Sequence, residues 1–174
     1  MKTIFTKDEL RKYALKKRTT ISFDVSIRIV QKILNSSEFK SAKHIALYYP
    51  ILHEIDLRSL LISKNKNFYL PRCNGNNLEF VKYTTDTNLK KGNFNILEPI
   101  GEKIDPKILD IIYIPALMAN KKGYRLGYGK GYYDRFFLDN ELTALKCVVL
   151  SNDLISNDFI EEKFDIKCDK IISA

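Results

Sequence analysis

The chain has 174 residues, of which 45% are hydrophobic and 29% charged, with a formal net charge of +8 at neutral pH. That length and balance fit one globular domain over residues 1–174 with a full apolar core, and no run approaches the ~20 apolar residues of a membrane span. Three widely spaced cysteines, Cys73, Cys147 and Cys168, exclude a disulfide framework and match no zinc pattern, so they read as reduced thiols.

The stretch from Met1 to Glu9 lacks the apolar core of a secretory leader, which with the reduced thiols leads to the expectation of a cytoplasmic protein. Thr6-Lys7-Asp8-Glu9 is a capping box. It predicts a helix to about Arg18 that carries Lys7 and Arg11 on one face at i,i+4 spacing. A second helix is predicted from about Phe23 to Ser36, with Val25, Ile29, Ile33 and Leu34 as its apolar face. Residues 44–49 read as a strand, and Asp56 as the N-cap of a helix through about Ser63. Residues 67–71 and 78–82 read as strands separated by the turn-rich Asn74-Gly75-Asn76-Asn77. Residues 84–108 read as loop, broken by Gly92, Pro99, Gly101 and Pro106. A buried strand at 109–114 follows, then a glycine-rich loop, a helix from Tyr132 to about Leu138, and strands at 144–150 and 170–173. Strands alternating with helices predict a three-layer α/β sandwich, a mostly parallel sheet flanked by helices. Ligands of such sheets sit beyond the carboxyl ends of the strands. The segments Tyr49 to Asp56, Pro71-Arg72 and Pro115 to Asp134 each follow a predicted strand and are expected to converge on one rim.

The run Arg125-Leu-Gly127-Tyr128-Gly129-Lys130-Gly131-Tyr132-Tyr133-Asp134-Arg135 holds three of the seven glycines. Alternating glycines let a backbone approach a ligand closely. Backbone N–H groups gathered at a helix start, with cations beside them, make an anion site. The simplest reading is a phosphate-binding loop, with Arg125 and Lys130 as the phosphate cations. A tight strand-to-helix turn with solvated charges is the plainer alternative. The run departs from both standard nucleotide fingerprints: Gly131 stands where a phosphate loop needs Ser or Thr, and Tyr132 where a dinucleotide loop needs glycine. Asp134, beside the phosphates, suits Mg²⁺, or else simply complements the helix dipole. Tyr49, Tyr128, Tyr132 and Tyr133 read as pocket lining. His44 and His53 have no metal-like partners in the sequence.

Pro115 followed by Gly123-x-Arg125-Leu126-Gly127-x-Gly129-Lys130-Gly131-Tyr132-Tyr133-Asp134 resembles the signature of the 5-formyltetrahydrofolate cyclo-ligase (methenyltetrahydrofolate synthetase) family. Lys7-x-x-x-Arg11, Tyr48-Tyr49-Pro50 with Glu54-Ile55-Asp56, Leu70-Pro71-Arg72, Glu98-Pro99 and Asp165-x-x-x-Asp169 fall in that family's order. Ala116 stands where the family usually has glycine after the proline, and Ala119-Asn120 where it usually has Phe-Asp, which implies a changed pocket wall.

The resemblance implies a fold shared with sugar-phosphate isomerases and coenzyme A transferases. It also implies ATP- and Mg²⁺-dependent closure of 5-formyltetrahydrofolate to 5,10-methenyltetrahydrofolate, with release of ADP and phosphate. Lys7, Arg11, Arg125, Gly127, Tyr128, Gly129, Lys130, Gly131, Tyr132 and Tyr133 would meet the nucleotide, with Arg125 and Lys130 acting on the transferred phosphoryl group. Tyr49, Glu54, Tyr128, Gly129, Lys130, Gly131 and Tyr132 would meet the folate, Glu54 against the pterin. Asp134 and Asp165 would hold Mg²⁺, Asp165 being preferred over its neighbour Asp169. The partner expected is this small-molecule substrate, bound by a monomer, without nucleic acid or membrane. Two alternatives stay open: a sugar-phosphate isomerase-like enzyme on the same fold, and a basic nucleic-acid-binding module suggested by the net charge. The lysines are spread along the chain, and a polyanionic small substrate accounts for a positive cleft equally well.

Overall fold

The computed structural model describes residues 5–174; the first four residues, part of the stretch read for leader character, lie outside them. Six strands form one sheet: β1 (His44–Ala46), β2 (Asn67–Asn74), β3 (Asn77–Tyr83), β6 (Ile111–Pro115), β9 (Leu145–Leu150) and β10 (Lys170–Ser173), in the order β10-β9-β6-β1-β2-β3. Every neighbouring pair is parallel except the β2–β3 hairpin. Two short ribbons sit outside the sheet, β4 (Leu89–Lys91) with β5 (Leu97–Pro99), and β7 (Met118–Ala119) with β8 (Arg125–Leu126).

Side-chain alternation sends each strand's residues into two cores. Ala46, Ile112, Ile114, Val148 and Leu150 pack with Leu10 and Ala14 of α1 (Lys7–Arg18) and Phe136 of α4 (Tyr132–Asp139). Ile45, Ile111, Tyr113, Cys147 and Val149 pack with Val25, Ile29 and Ile33 of α2 (Asp24–Asn35) and Phe39 of α3 (Ser37–Ser41). Helices on both faces of a sheet buried on both faces give the three-layer arrangement, and the apolar runs at 111–115 and 145–150 follow from that double burial.

Local differences from the sequence expectations have local causes. The capping box on α1 forms in both directions: the Thr6 hydroxyl accepts from the Glu9 N–H at 3.2 Å, and the Glu9 carboxylate accepts from the Thr6 N–H at 2.8 Å. On α2, Leu34 turns outward and Val30 takes the inward position. The segment after Asp56 is a 3-10 turn, Arg58–Ile62, because Asp56 binds the Arg58 N–H in a tight turn and does not cap an α-helix. The first strand is only three residues long, and the predicted strand at 67–71 extends to Asn74. Pro71 and Arg72 therefore lie within the hairpin and not beyond a strand end. The stretch 84–108 contains the β4–β5 ribbon.

After β1 the chain moves to β2 on one side; after β6 it moves to β9 on the other. The point between β1 and β6 is thus the place where the connections diverge and leave a crevice at the carboxyl ends. Segments 47–54 and 116–131 leave the sheet there.

Candidate active site

A cleft of about 1070 Å³ opens at this crevice. Every residue that the family resemblance assigned to nucleotide, folate or metal lines it: Lys7, Arg11, Tyr49, Glu54, Arg125, Gly127, Tyr128, Gly129, Lys130, Gly131, Tyr132, Tyr133, Asp134 and Asp165. Asp169 does not; it accepts from the Lys146 N–H and pairs with the Lys146 side chain. Ala119 and Asn120 do not line the cleft either. Ala119 is wholly buried in the β7–β8 ribbon. The Asn120 carboxamide accepts from the N–H groups of Lys122 and Tyr124, which closes the ribbon's turn. The expected change of pocket wall is therefore not found at these two positions, which lie outside the cleft lining.

The glycine loop joins β8 to α4. Gly129 (φ +93°) and Gly131 (φ +66°) take left-handed backbone. A Cβ at Gly129 would stand 3.2 Å from the Arg11 guanidinium carbon. Arg11 reaches over from α1, its Nε donating to the Gly127 carbonyl at 3.0 Å and its Nη1 lying 2.5 Å from Asp8. Lys130 lies exposed on the cleft, and its carbonyl accepts from Arg135 at 2.8 Å.

Four of the predicted ligands are tied to one another. Lys7 lies 2.7 Å from Asp165 and 3.2 Å from Glu162. Arg125 is buried over the ring of Tyr133, with Nη2 3.2 Å from Asp134. It therefore acts from inside the wall and is not a mobile surface cation. The same Asp134 oxygen accepts from the Ile166 N–H at 3.2 Å, which sets the two carboxylates, Asp134 and Asp165, on one stretch of the cleft. Among the described residues no three His, Cys, Asp or Glu side chains gather as a complete cage. Mg²⁺ does not need one: it takes one or two carboxylates and fills its octahedron with phosphate oxygens and water. Asp134 and Asp165 fit that donor set.

On the other side lies a polar group enclosed in apolar surroundings. Glu54 accepts from the Tyr128 hydroxyl at 2.6 Å and from the Ile51 N–H at 2.9 Å. Burial outweighs these bonds and the nearby Arg18, and pushes the Glu54 carboxyl above the ordinary carboxylate range. Arg18, 4% exposed, binds the carbonyls of Leu52 and His53 and the Tyr128 hydroxyl, and stands 4.0 Å from Glu54. Tyr49 stacks under Arg58 at 5.5 Å, and the Tyr132 hydroxyl donates to the Gly75 carbonyl at 3.2 Å. The Tyr133 hydroxyl is buried without a hydrogen-bond partner, and burial raises its pKa. Burial likewise raises the Cys73 thiol, which keeps it a weak nucleophile.

Glu98 and Cys73 line the cleft and Arg18 lies behind it; the sequence assigned none of them a functional role, although Glu98 stood in the motif Glu98-Pro99. Arg18 ends a helix amid other basic residues and reads as a solvated C-terminal cation. Only the 110-residue separation from Tyr128, closed in space, reveals its burial.

The model of the 5-formyltetrahydrofolate cyclo-ligase family matches residues 4–174. A 5-formyltetrahydrofolate cyclo-ligase of Haemophilus influenzae is 39% identical over 116 residues, 62% of each chain, so that match spans less than two thirds of either protein. The cyclo-ligase of Mycoplasma pneumoniae is 28% identical over 173 residues, 96% of this chain and 98% of its own. Among solved structures, the 5,10-methenyltetrahydrofolate synthetase of Aquifex aeolicus superposes with a TM-score of 0.83 at 34% identity, covering 97% of this chain and 90% of that one. The Mycoplasma pneumoniae synthetase gives 0.77 at 26% identity, covering 97% and 98%.

Proposed function

Because the chain belongs to the 5-formyltetrahydrofolate cyclo-ligase family, we propose that it is a cytoplasmic enzyme, one domain over residues 1–174, that closes 5-formyltetrahydrofolate to 5,10-methenyltetrahydrofolate at the expense of ATP. The observation that carries this reading is the pairing, in one cleft, of a cation-bearing glycine loop with an enclosed carboxylate–tyrosine–arginine group. The first suits polyphosphate; the second suits the donor edge of a flat heterocycle. A volume of about 1070 Å³ has room for both ligands.

The formyl oxygen is a poor leaving group. Its attack on the γ-phosphorus expels ADP and leaves an iminium-like phosphate. Nitrogen 10 of the folate then attacks the activated carbon, loses its proton, and inorganic phosphate departs with the former formyl oxygen. The protein contributes position and charge. Lys7, Arg11, Lys130 and the loop amides hold the phosphates, while Arg125 steadies the loop from within and complements charge on the transferred group. Asp134 and Asp165 would hold Mg²⁺, which supplies charge neutralisation on the phosphates. Glu54 and Tyr128 orient the pterin, and Tyr49 walls it. Both Lys7 and Arg125 must loosen their present ion pairs as phosphate enters, so the nucleotide exchanges one set of charge contacts for another.

The test is the near-ultraviolet absorbance of purified protein with 5-formyltetrahydrofolate. Growth of the methenyltetrahydrofolate band only with Mg²⁺ and ATP together is the expected result. A folded protein that gives no band, yet is stabilised by a sugar phosphate and not by ATP, would assign the cleft to the isomerase-like alternative.

A further inference from the structure

Six carboxylates line the cleft, and five of them face a cation. Asp8 meets Arg11, Glu54 meets Arg18, Asp134 meets Arg125, and both Glu162 and Asp165 meet Lys7, all within 4.0 Å. Glu98 is the exception: among the described residues it has no cation within ion-pair distance, although it is only 5% exposed. Its one backbone donor is the Cys73 N–H at 3.0 Å, and the Cys73 thiol lies beside it. A buried, unpaired carboxylate is costly, and a carboxamide or a backbone carbonyl would serve the Cys73 N–H without that cost. The chain also keeps space for it. A Cβ on Gly92 would fall 2.1 Å from the Glu98 carboxyl carbon, so the ribbon turn is glycine where the carboxylate needs room.

A hydroxyl without a partner faces the same cleft. The Tyr133 hydroxyl, buried and without a partner, is within electrostatic reach of both Cys73 and Glu54. The floor thus offers a carboxylate with no cation, held by the Cys73 N–H and thiol, and a hydroxyl with nothing to donate to. By contrast, Glu54 already accepts on both oxygens, from Tyr128 and from Ile51.

We propose that Glu98 is a folate-binding residue, whose carboxylate accepts a hydrogen bond from an N–H group of the reduced pterin as a contact additional to Glu54. The assignment rests on the folate reading given above. An N–H donor is the chemistry that completes a carboxylate lacking a cation, and a reduced pterin carries several beside a carbonyl that the Tyr133 hydroxyl can serve. Glu98 is then a determinant of folate affinity with no part in holding the nucleotide.

Wild-type, Glu98→Gln and Glu98→Leu proteins are titrated with 5-formyltetrahydrofolate and, separately, with MgATP, and their thermal unfolding is recorded. A hydrogen bond to a charged group predicts a loss of folate affinity of about ten-fold or more for Glu98→Leu. Glu98→Gln keeps an acceptor oxygen and should lose several-fold. MgATP affinity should stay at the wild-type value in both. A folded Glu98→Leu protein that binds folate as tightly as wild type overturns the assignment. So does an equal loss of both ligands, which would make Glu98 a scaffold for the ribbon. If Glu98→Leu does not fold, Glu98→Gln decides: unchanged folate affinity rejects the proposal, and a loss confined to folate supports it. A wild-type protein that binds MgATP but no folate sinks the cyclo-ligase reading and this assignment with it, whereas wild-type folate binding with intact variants sinks this one only.

Discussion

Lys7 and Asp165 lie 158 positions apart in sequence and 2.7 Å apart in space, the proposed nucleotide cation and the proposed metal carboxylate neutralising each other in the cleft. The pair is partly buried, with both side chains 18% exposed, so it is worth more than a surface bridge and less than an enclosed one. Lys7→Ala should lower stability by about 1 kcal/mol and raise the KM for ATP by about ten-fold, with the KM for folate little changed. Steady-state kinetics and urea unfolding read the two effects. Equal rises in both KM values would remove Lys7 from the nucleotide side.

Gly129→Ala places a Cβ where φ is +93° and the Arg11 guanidinium is 3.2 Å away. The left-handed backbone alone costs about 1–2 kcal/mol. The displaced Arg11 should also release the Gly127 carbonyl, so nucleotide affinity falls with stability. Thermal denaturation with and without MgATP measures both. Full retention of nucleotide protection would show that Arg11 does not act through the loop.

Burial raises the Glu54 carboxyl above the 4.5 of an unperturbed glutamate, against the Tyr128 bond and Arg18, and this fixes a sign. Between 4.5 and its folded value, the native state holds more protons at this site than the unfolded one, so this group's contribution to stability decreases as pH rises through that window. Glu54→Gln should flatten that part of the stability–pH curve. The wild-type kcat/KM for folate should fall with acidification at a pH above the ordinary carboxylate range, because the acceptor form of Glu54 is lost. A wild-type acid limb at an ordinary glutamate value would contradict the assignment.

Arg18→Met leaves Glu54 without its cation and three acceptors, the carbonyls of Leu52 and His53 and the Tyr128 hydroxyl, without their donor. Removing one partner of a buried charge pair costs about 3–5 kcal/mol. Arg18→Lys recovers little of it, since a single ammonium cannot span a fork of that width. Denaturant midpoints for the two variants provide the measurement, and a loss below about 1 kcal/mol would show that the group is not a supporting strut.

The elements legible in the sequence were those with one dominant physical signal. The capping box at Thr6 and Glu9 is written in four residues, and the buried strands, read at 109–114 and 144–150 and found at 111–115 and 145–150, in largely apolar runs. What escaped was set by distant partners. Arg18 looks like any helix-end cation until residues 52–54 and 128 close over it. Glu98 was noted only as part of the motif Glu98-Pro99, and its burial did not show because its three-residue strand is too short to carry a period. Leu34 obeys the helical spacing of its neighbours, yet the sheet meets the face carrying Val30. The charges of the cleft were legible as types. Their mutual pairing is set by the fold: Arg125 meets Asp134 across the glycine loop, and Lys7 meets Asp165 where α1 and the 162–166 segment come together.

That meeting has a bearing on the birth of the protein. α1 is twelve residues long, too short to persist by itself in water. Leu10 and Ala14 bury against side chains that include Leu126, Val148 and Phe159, and its basic residues engage 127, 128 and 165. During synthesis α1 therefore waits, undocked, until the residues it packs against and Asp165, 158 positions after Lys7, have left the ribosome. The cleft is a closure between early and late sequence, and a nascent chain stalled before residue 165 would carry the whole glycine loop without the clasp that shuts Lys7 against it.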